Sequence, residues 1–375
     1  MRGAGGAERS LSIGIVLHDF SLGGTERIAL RLARAWCDRD ADVTIFCGAY
    51  HGALTTMLDP RINIAAPPTA IARGRGSRLA LGRAAAAYFA GHRVDALFIP
   101  GNFHWSVVPA IGRMEKGTRP AVIAQVSAAL DKPQRGVLRQ ALFDARMRHL
   151  LRHADAIVTL SEVARHQASE IMRGKRTTTI ALPALADQSP APRASQPDPV
   201  ILAAGRLVPE KGFADLIDAF ALLRNDAAQL VIVGDGPEAT ALKARAARNG
   251  VAGRVSFPGY VPDIRPWLDK ARLFTLSSHF EGYPAVIIEA LAAGRPVVAT
   301  RCTPATADLL TNPSFGRTVP IRDVPALSIA IADMLAAPHA APETLAGAVE
   351  HHRIGPVADA YLSLFAQIAE NRVSF

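Results

Sequence analysis

The sequence predicts a two-lobed α/β protein in which each lobe holds a Rossmann-like parallel sheet covered by helices on both faces. The first observation is that short apolar, β-rich runs alternate with longer helical runs rich in Ala, Leu and Arg. Strand–helix alternation with right-handed crossovers builds parallel sheets. The second is that this pattern restarts after "DQSPAPRASQPDP", a Pro- and Ser-rich stretch typical of a linker. A cleft is expected between the two lobes.

Apolar runs on both sides of this linker predict the strands of the two sheets. Continuous apolar runs are typical of strands that are buried on both faces. The runs before the linker are "SIGIVL", "DVTIFC", "ALFIP", "AVIAQV" and "AIVTLS". Those after it are "VILAAG", "QLVIVG", "RVSFPG", "LFTLSS", "PVVAT" and a weaker "GRTVP".

The same pattern sets the expected domain boundaries. An N-terminal lobe is expected over residues 1–188, a linker over 189–198 and a C-terminal lobe over 199–352. The last segment, 353–375, contains the amphipathic stretch "PVADAYLSLFAQIAE". We expect it to form a helix that can pack back on the N-terminal lobe.

Composition argues against several classes of protein. No apolar run is long enough to predict a membrane-spanning helix, and the first apolar run is too short for a signal peptide. The three cysteines, Cys37, Cys47 and Cys302, have spacings that suit neither a disulfide framework nor a zinc site. A reducing, cytoplasmic location is the simplest interpretation.

Positive charge is concentrated in the first half of the chain. Residues 1–190 contain 25 Lys and Arg against 15 Asp and Glu, although the whole chain carries only +9. Two interpretations stay open: solvated arginine-rich helices, or a surface that meets anionic lipid or an acidic acceptor. Nucleic acid is not expected, because no nucleic-acid motif appears. The basic clusters comprise Arg73, Arg75, Arg78, Arg83, Arg93, Arg135, Arg139, Arg146, Arg148 and Arg152.

In each half of the chain, the loop after the first predicted strand carries residues suited to binding an anion. These residues are glycines in the first half and cations in the second. Ligands in parallel sheets bind beyond the carboxyl ends of the strands. Gly23 and Gly24 precede a helix expected near Thr25, where a tight turn and helix amides can face an anion. Arg206 and Lys211 precede another helix start, and charge-assisted hydrogen bonds from such cations suit a diphosphate.

The stretch "EGYPAVIIE" places two carboxylates around a predicted helix start. Pro284 is well placed as the first helical residue. Glu281 would then lie in the preceding loop, and Glu289 would lie inside the helix. Just upstream, the main chain from Gly259 through Tyr260 to Val261 could line a pocket for a nucleotide base.

At these residues the chain resembles the retaining family 4 (group 1) glycosyltransferases of the GT-B fold. The resemblance covers nearly the whole chain and is strongest over residues 200–300. It is carried by "GGTER", "HADAIVTLSE", "GRLVPEKG", "VIVGDGP", "VSFPGYV" and above all "EGYPAVIIEALAAGRPVVAT". The last of these matches the family's pattern of two glutamates separated by seven residues.

The resemblance implies roles for the residues singled out. Glu289 should bind the ribose hydroxyls of the nucleotide, and Glu281 should accept a hydrogen bond from a hydroxyl of the donor sugar. Arg206 and Lys211 should stabilise the leaving diphosphate, and the Gly23–Gly24 loop should close over it. No metal and no tightly bound cofactor are required. The main chain that would face the sugar and phosphates belongs to Gly282, Tyr283, Pro284 and Ala285.

Two departures from the family pattern stand out, one of which is the turn "IALPALAD", which retains only Pro183, while the other concerns a site residue. Many relatives carry a His in the loop after the fourth strand of the first lobe, where it approaches the donor sugar. Here that segment reads "VIAQVSAALDKP", and Ser127 stands at the matching position. His104, in "PGNFHWS", is a candidate substitute, although a His beside Phe and Trp more often serves packing.

The resemblance therefore implies a metal-independent, hexosyltransferase-type enzyme that transfers a sugar with retention from a UDP- or GDP-sugar. The acceptor would be a glycan or a lipid-linked glycan of cell-surface polysaccharide or lipopolysaccharide assembly. The expected location is cytoplasmic, peripheral to the inner face of the membrane through the basic N-terminal lobe. Alternatives are a non-catalytic sugar-nucleotide-binding scaffold subunit, or another GT-B enzyme such as a nucleotide-sugar epimerase.

Overall fold

The computed structural model describes residues 10–128, 130–131, 136–188, 190–193, 198–338 and 340–373. The chain divides into two compact units. The first unit is Met1–Pro183 together with Ile354–Phe375, and the second is Ala184–Arg353. Residues 189 and 194–197 of the expected linker lie outside the described residues.

The first unit is built on a seven-stranded parallel sheet with the order β3-β2-β1-β4-β5-β6-β7. All five apolar runs predicted before the linker form strands. Two further edge strands, β3 and β7, were not predicted, because one is only three residues long and the other reads "RTTT". The strands are β1 Ser12–Leu17, β2 Asp42–Cys47, β3 Asn63–Ala65, β4 Ala96–Ile99, β5 Ala121–Val126, β6 Ala156–Thr159 and β7 Arg176–Thr179.

Helices cover both faces of this sheet. One core cluster packs α1 against one face of the sheet. A second cluster packs the four helices from α2 through α5 against the opposite face. Both clusters consist of fully buried aliphatic and aromatic side chains, as two-sided burial of a parallel sheet requires. The helices are α1 Gly24–Cys37, α2 Ser77–Gly91, α3 Val108–Ile111, α4 Gly136–Leu151 and α5 Glu162–Ile171.

The second unit holds a six-stranded parallel sheet with the order β10-β9-β8-β11-β12-β13. All six runs predicted after the linker form strands, the weak "GRTVP" included. The strands are β8 Val200–Ala204, β9 Gln229–Val233, β10 Val255–Gly259, β11 Leu273–Leu276, β12 Val297–Thr300 and β13 Gly316–Val319. The helices are α6 Phe213–Ala221, α7 Ala239–Arg248, α8 Arg265–Leu268, α9 Ala285–Ala292, α10 Pro304–Leu309, α11 Val324–Ala336 and α12 Pro342–Gly347.

The last helix, α13 (Ile354–Val373), belongs to the core of the first unit. Its Tyr361 is fully buried, and the Tyr361 ring centroid lies 5.2 Å from that of Phe98 and 5.9 Å from that of Trp36. The Gln125 Nε2 of β5 donates a hydrogen bond of 2.8 Å to the Tyr361 hydroxyl. The buried hydroxyl therefore has a partner, which removes most of the cost of burying it.

Two of the expectations from composition concerned the cysteines and membrane-spanning helices. All three cysteines are free, and Cys37 and Cys47 are buried. Within the part of the chain that the structure describes, no helix is both long enough and apolar enough to cross a bilayer.

Strand order reverses once in each sheet, between β1 and β4 in the first and between β8 and β11 in the second. Such reversal points open a crevice at the carboxyl ends of the strands, where ligands of parallel α/β sheets bind. The loops at these points carry Gly23–Gly24 and His104 in the first unit, and Arg206, Lys211 and Glu281 in the second. The topology therefore collects most of the predicted site residues at two edges.

The aromatic contacts of α13 predict a large loss of stability in the variant Tyr361→Ala. Removing a buried aromatic side chain costs about 3–5 kcal/mol. Urea unfolding followed by tryptophan fluorescence should show this loss, because Trp36 lies beside the altered site. The control Tyr260→Ala removes a tyrosine that is 66% exposed, and it should change the free energy of unfolding by about 0.5 kcal/mol or less. Equal stability of the two variants would contradict the packing of α13.

Candidate functional site

Lys211 and Glu281 meet at the carboxyl edge of the second sheet. The Lys211 Nζ lies 2.5 Å from the Glu281 Oε1, and the Ser278 Oγ donates to the same oxygen at 2.8 Å. The two charged side chains are only 23% and 14% exposed. Among the described residues, no hydrogen bond reaches the other carboxylate oxygen, Oε2. The carboxylate is thus fixed through one oxygen and keeps the second as an acceptor.

Gly212 allows the Lys211 loop to lie against the end of β11. Its φ of +63° is left-handed, and a Cβ there would lie 2.1 Å from the Ser277 carbonyl oxygen. The Ser277 Oγ donates to the Lys211 carbonyl at 2.9 Å. A residue with a side chain would separate the two loops, so glycine is required for the contact between Lys211 and Glu281.

A second tie between the same loops was not predicted from the sequence. The His279 amide donates to the Glu210 carbonyl at 2.8 Å, and the His279 Nε2 lies 2.7 Å from the Asp215 Oδ2. Asp215 belongs to the first turn of α6. His279 therefore joins the loop that holds Glu281 to the helix that follows Lys211. The only sequence signal was its position two residues before Glu281.

Arg206 differs from Lys211 in its exposure. Its side chain is 70% exposed and lies 3.5 Å from a Glu210 carboxylate that is itself 51% exposed. Exposed ion pairs of this kind contribute little to stability. The guanidinium can therefore exchange this partner for an anion at small cost.

Helix α9 carries Glu289 and begins one residue later than predicted. Ala285 is its first residue and Pro284 is the preceding cap residue, because the Pro284 ψ of 82° is not helical. Glu289 is the fifth residue of the helix and is half-buried. Tyr283 packs with its ring centroid 6.0 Å from that of His352, and burial raises the pKa of the Tyr283 phenol.

The turn after β10 carries the predicted base-pocket residues. Gly259 has a left-handed φ of +87°, and its carbonyl accepts a hydrogen bond of 2.9 Å from the Gly234 amide. Tyr260 is 66% exposed and Val261 is half-buried. The neighbouring turn, which follows β9, is equally tight, since a Cβ at Gly234 would lie 1.8 Å from the Gly205 carbonyl oxygen. The turns after β8, β9 and β10 are thus packed backbone against backbone.

In the first unit, Gly23 caps α1 and Gly24 is its first residue. Gly23 is extended rather than left-handed, and a Cβ there would lie 2.1 Å from the Glu26 Oε2, so the Glu26 carboxylate would have to shift to admit a larger residue. No described atom lies within 4 Å of the Cβ position at Gly24. The helix start is therefore open at Gly24 and closed at Gly23 by the buried Glu26.

An ion pair between the exposed Arg73 and a buried carboxylate, which the sequence did not reveal, lies beside this helix start. Arg73 donates two hydrogen bonds to the Asp19 carboxylate, one of them 2.8 Å long, and lies 3.3 Å from the Glu26 Oε1. Burial alone would raise the pKa of Asp19, but the hydrogen bonds and charge of Arg73, together with the hydrogen bonds from Ser21, outweigh it and hold that pKa well below its usual range. Arg73, predicted as part of a basic surface, is thus committed to internal carboxylates.

His104 and Ser127 are both engaged with main-chain groups. The His104 Nδ1 donates to the Pro100 carbonyl at 2.7 Å, and its Nε2 accepts from the His18 amide at 3.2 Å. Burial lowers the pKa of His104 to about 4. The Ser127 Oγ accepts a hydrogen bond of 3.4 Å from the Asn102 amide, and the Ser127 amide donates to the Asn102 Oδ1 at 2.9 Å. This geometry does not support His104 as a substitute for the missing loop histidine, since its ring is neutral and both nitrogens are occupied.

Comparison with known protein families identifies the family to which the chain belongs. Residues 23–184 match the family described as "Glycosyl transferase 4-like domain". Residues 198–337 match the family described as "Glycosyl transferases group 1". The chain belongs to the group 1 glycosyltransferases. The two matches fall on the first and the second unit respectively, so this glycosyltransferase carries both family domains in the order expected from its sequence.

Similar proteins agree with this assignment over part of the chain. The glycosyltransferase is 44% identical over 103 residues to the lipopolysaccharide core biosynthesis glycosyltransferase LpsE of Rhizobium meliloti, covering 28% of this chain and 30% of that protein. It is 32% identical over 170 residues to LpsD of the same organism, covering 44% and 49% of the two chains. In both cases the matched stretch spans less than half of the relative.

Solved structures resemble the glycosyltransferase over nearly its whole length. A lipopolysaccharide outer core galactosyltransferase, WaaB, superposes with a TM-score of 0.72 at 17% identity, covering 95% of this chain and all of that chain. Anabaena HepE in complex with UDP and glucose gives 0.68 at 20% identity, covering 97% of this chain and all of the other. These matches confirm the GT-B fold that the sequence predicts.

The left-handed backbone at Gly212 predicts that Gly212→Ala destabilises the second unit by about 2 kcal/mol or more. The left-handed conformation alone costs a non-glycine residue about 1–2 kcal/mol, and the Ser277 carbonyl must also move. The free energy of unfolding in urea measures this effect. Gly253→Ala is the matched control, because no described atom lies within 4 Å of a Cβ there. Unchanged stability of Gly212→Ala would rule out the close loop contact.

Proposed function

We propose that the protein transfers a sugar, with retention of configuration, from a nucleoside diphosphate sugar to a glycan or lipid-linked acceptor. The observation that carries this proposal is the contact of Lys211 and Ser278 with one oxygen of Glu281 at the strand-order reversal of the second sheet. A cation and an acceptor oxygen held side by side suit a ligand that has a phosphate next to a sugar hydroxyl. The membership in group 1 glycosyltransferases supports the same reaction class.

In this proposal the second unit binds the donor. Lys211 and the exposed guanidinium of Arg206 stabilise the diphosphate as it leaves, and Glu281 Oε2 accepts from a hydroxyl of the sugar. Glu289, one turn into α9, accepts from the ribose hydroxyls. The main chain of Gly259–Val261 meets the base, with the exposed Tyr260 beside it. The main chain from Gly282 to Ala285 faces the sugar and phosphates.

The chemistry that we propose is a front-face substitution. The acceptor oxygen forms a bond to the anomeric carbon on the side from which the diphosphate leaves, and the leaving phosphate takes the acceptor proton. Charge develops on the diphosphate, so preorganised cations lower the barrier more than a strong base does. The neutral, fully engaged His104 is compatible with this scheme, because no protein base is required. The two cations supply the positive charge without a metal ion.

We further propose that this reaction serves the assembly of lipopolysaccharide or another cell-surface polysaccharide at the inner face of the membrane. Two relatives of the matched stretch are named for lipopolysaccharide core biosynthesis. The free, buried Cys37 and Cys47 suit a reducing, cytoplasmic compartment. The excess of positive charge in residues 1–190 suits an anionic acceptor or lipid.

Ligand-detected NMR against UDP-, GDP-, ADP- and TDP-sugars tests the donor class directly. We expect one donor to bind, UDP-glucose being the first to try since the HepE structure contains UDP and glucose. Slow hydrolysis of the same donor should release the α-anomer first and persist in EDTA. Release of the β-anomer would contradict retention, and binding of none of the four would contradict the proposed site.

Substitution of the two glutamates separates their roles. Glu281→Ala should lower the rate of transfer or donor hydrolysis about 100-fold or more while donor affinity changes little, because its hydrogen bond acts close to the reacting carbon. Glu289→Ala should weaken donor binding about 10-fold or more, since each hydrogen bond to a charged group is worth about 1.5–3 kcal/mol. The exposed Glu343→Ala is the control. Equal rates for Glu281→Ala and the unsubstituted chain would remove Glu281 from the mechanism.

A further inference from the structure

Helix α4 of the first unit has apolar side chains on two opposite faces. Its inner face places Met147 and Leu151 in the buried core. On the other side, Leu138 is 86% exposed and Leu142 is 72% exposed. At 3.6 residues per turn, Leu138, Leu142 and Ala145 fall along one line. Val137, 86% exposed, stands beside this line at the start of the helix.

Arginines flank this line on both sides. At 100° per residue, Arg139 and Arg146 lie on one flank and Arg148 lies on the other, where Arg152 follows directly after the end of the helix. All four are exposed. In the part of the chain that the structure describes, none of them forms an ion pair with a carboxylate. The outer α4 face, which we define as Val137, Leu138, Arg139, Leu142, Ala145, Arg146, Arg148 and Arg152, is therefore apolar along its middle and cationic at its edges.

Acidic side chains are absent from this face. The one acid of α4, Asp144, lies toward the inner side of the helix, where its Oδ1 accepts a hydrogen bond of 2.8 Å from Gln140. Exposed leucines on an ordinary solvated helix would be scattered rather than aligned. An apolar line between two rows of arginines is the pattern of a helix that lies in a membrane interface, with the guanidinium groups reaching the headgroups.

We propose that the outer α4 face docks the first unit onto an anionic lipid surface. Charge complementarity favours lipid over a second copy of this chain, because a two-fold contact would bring eight arginines together without a carboxylate. The leucines enter the acyl boundary, and the arginines pair with lipid phosphates. This docking rests on and deepens the membrane location proposed above, because it names the helix face that would carry it; the sugar transfer itself does not depend on it.

The position of α4 gives the docking a consequence for substrate access. A helix that follows a parallel strand runs back from the carboxyl edge of the sheet. The end of α4 that carries Val137 and Leu138 is therefore the end nearer to the loops after β1 and β4. If the proposed function holds, a lipid-linked acceptor would meet this edge of the first unit without leaving the surface.

Sedimentation of the full chain with vesicles tests the docking. We expect binding to vesicles of phosphatidylcholine mixed with phosphatidylglycerol, little binding to phosphatidylcholine alone, and weaker binding as salt rises. Leu138→Ser combined with Leu142→Ser should lower the partition coefficient about 10-fold or more. Leu222→Ser combined with Ile329→Ser, two exposed apolar residues of the second unit, is the matched control and should leave it unchanged.

A second pair of substitutions keeps the test valid if the leucine variant fails to fold. Arg146→Gln combined with Arg148→Gln should lower binding to anionic vesicles by about the same factor and reduce its salt dependence. Equal partitioning of the α4 variants and the control would overturn the proposal, as would equal binding to neutral and anionic vesicles. Self-association of the unsubstituted chain that is lost in the leucine variant would assign the face to a second copy instead.

The docking can fail without the failure of the proposed function. Donor binding by the Leu138→Ser, Leu142→Ser variant, measured by ligand-detected NMR, should equal that of the unsubstituted chain. Unchanged donor binding with unchanged vesicle binding would overturn the docking alone. If neither the unsubstituted chain nor any variant binds a donor, the proposed function alone is overturned.

Discussion

The contact between Lys211 and Glu281 depends on a glycine at position 212. The ammonium and the carboxylate meet at 2.5 Å because the loop after β8 lies directly on the end of β11. That approach leaves no room for a Cβ at Gly212. His279 then joins the two loops from the other side through Asp215. The left-handed glycine at position 212 therefore determines whether the cation and the carboxylate form one site or remain two unrelated side chains.

The sequence predicted the sheets well where burial alone determines the structure. All nine inner strands of the two sheets read as apolar runs and were predicted, and so were the edge strands β10 and β13 of the second sheet. The edge strands β3 and β7 were missed because β3 is only three residues long and "RTTT" carries no apolar signal. The start of α9 was off by one residue, since a proline suits both the cap position and the first turn.

The residues of the candidate site also divide into those that the sequence predicted and those that it missed. Glu281 and Lys211 were found because they lie in a recognisable order along the chain, whereas Gly212 was not singled out from the sequence. His279 and Asp215 were missed because they are 64 residues apart and only the fold brings them together. Net charge was the least specific guide. It grouped Arg73, which pairs with the buried Asp19, with the exposed arginines of α4, which form no ion pair with a carboxylate among the described residues.

The position of α13 has a consequence for the order in which the protein folds during synthesis. The first unit emerges from the ribosome early, but the helix that covers Trp36 and Phe98 is made only after the whole second unit, Ala184–Arg353. At a translation rate of about 5–20 residues per second, the wait is roughly 10–30 s. During that interval the part of the sheet face that α13 covers, beside α1, stays apolar and uncovered, so the nascent chain offers a site for chaperone binding that the finished protein lacks.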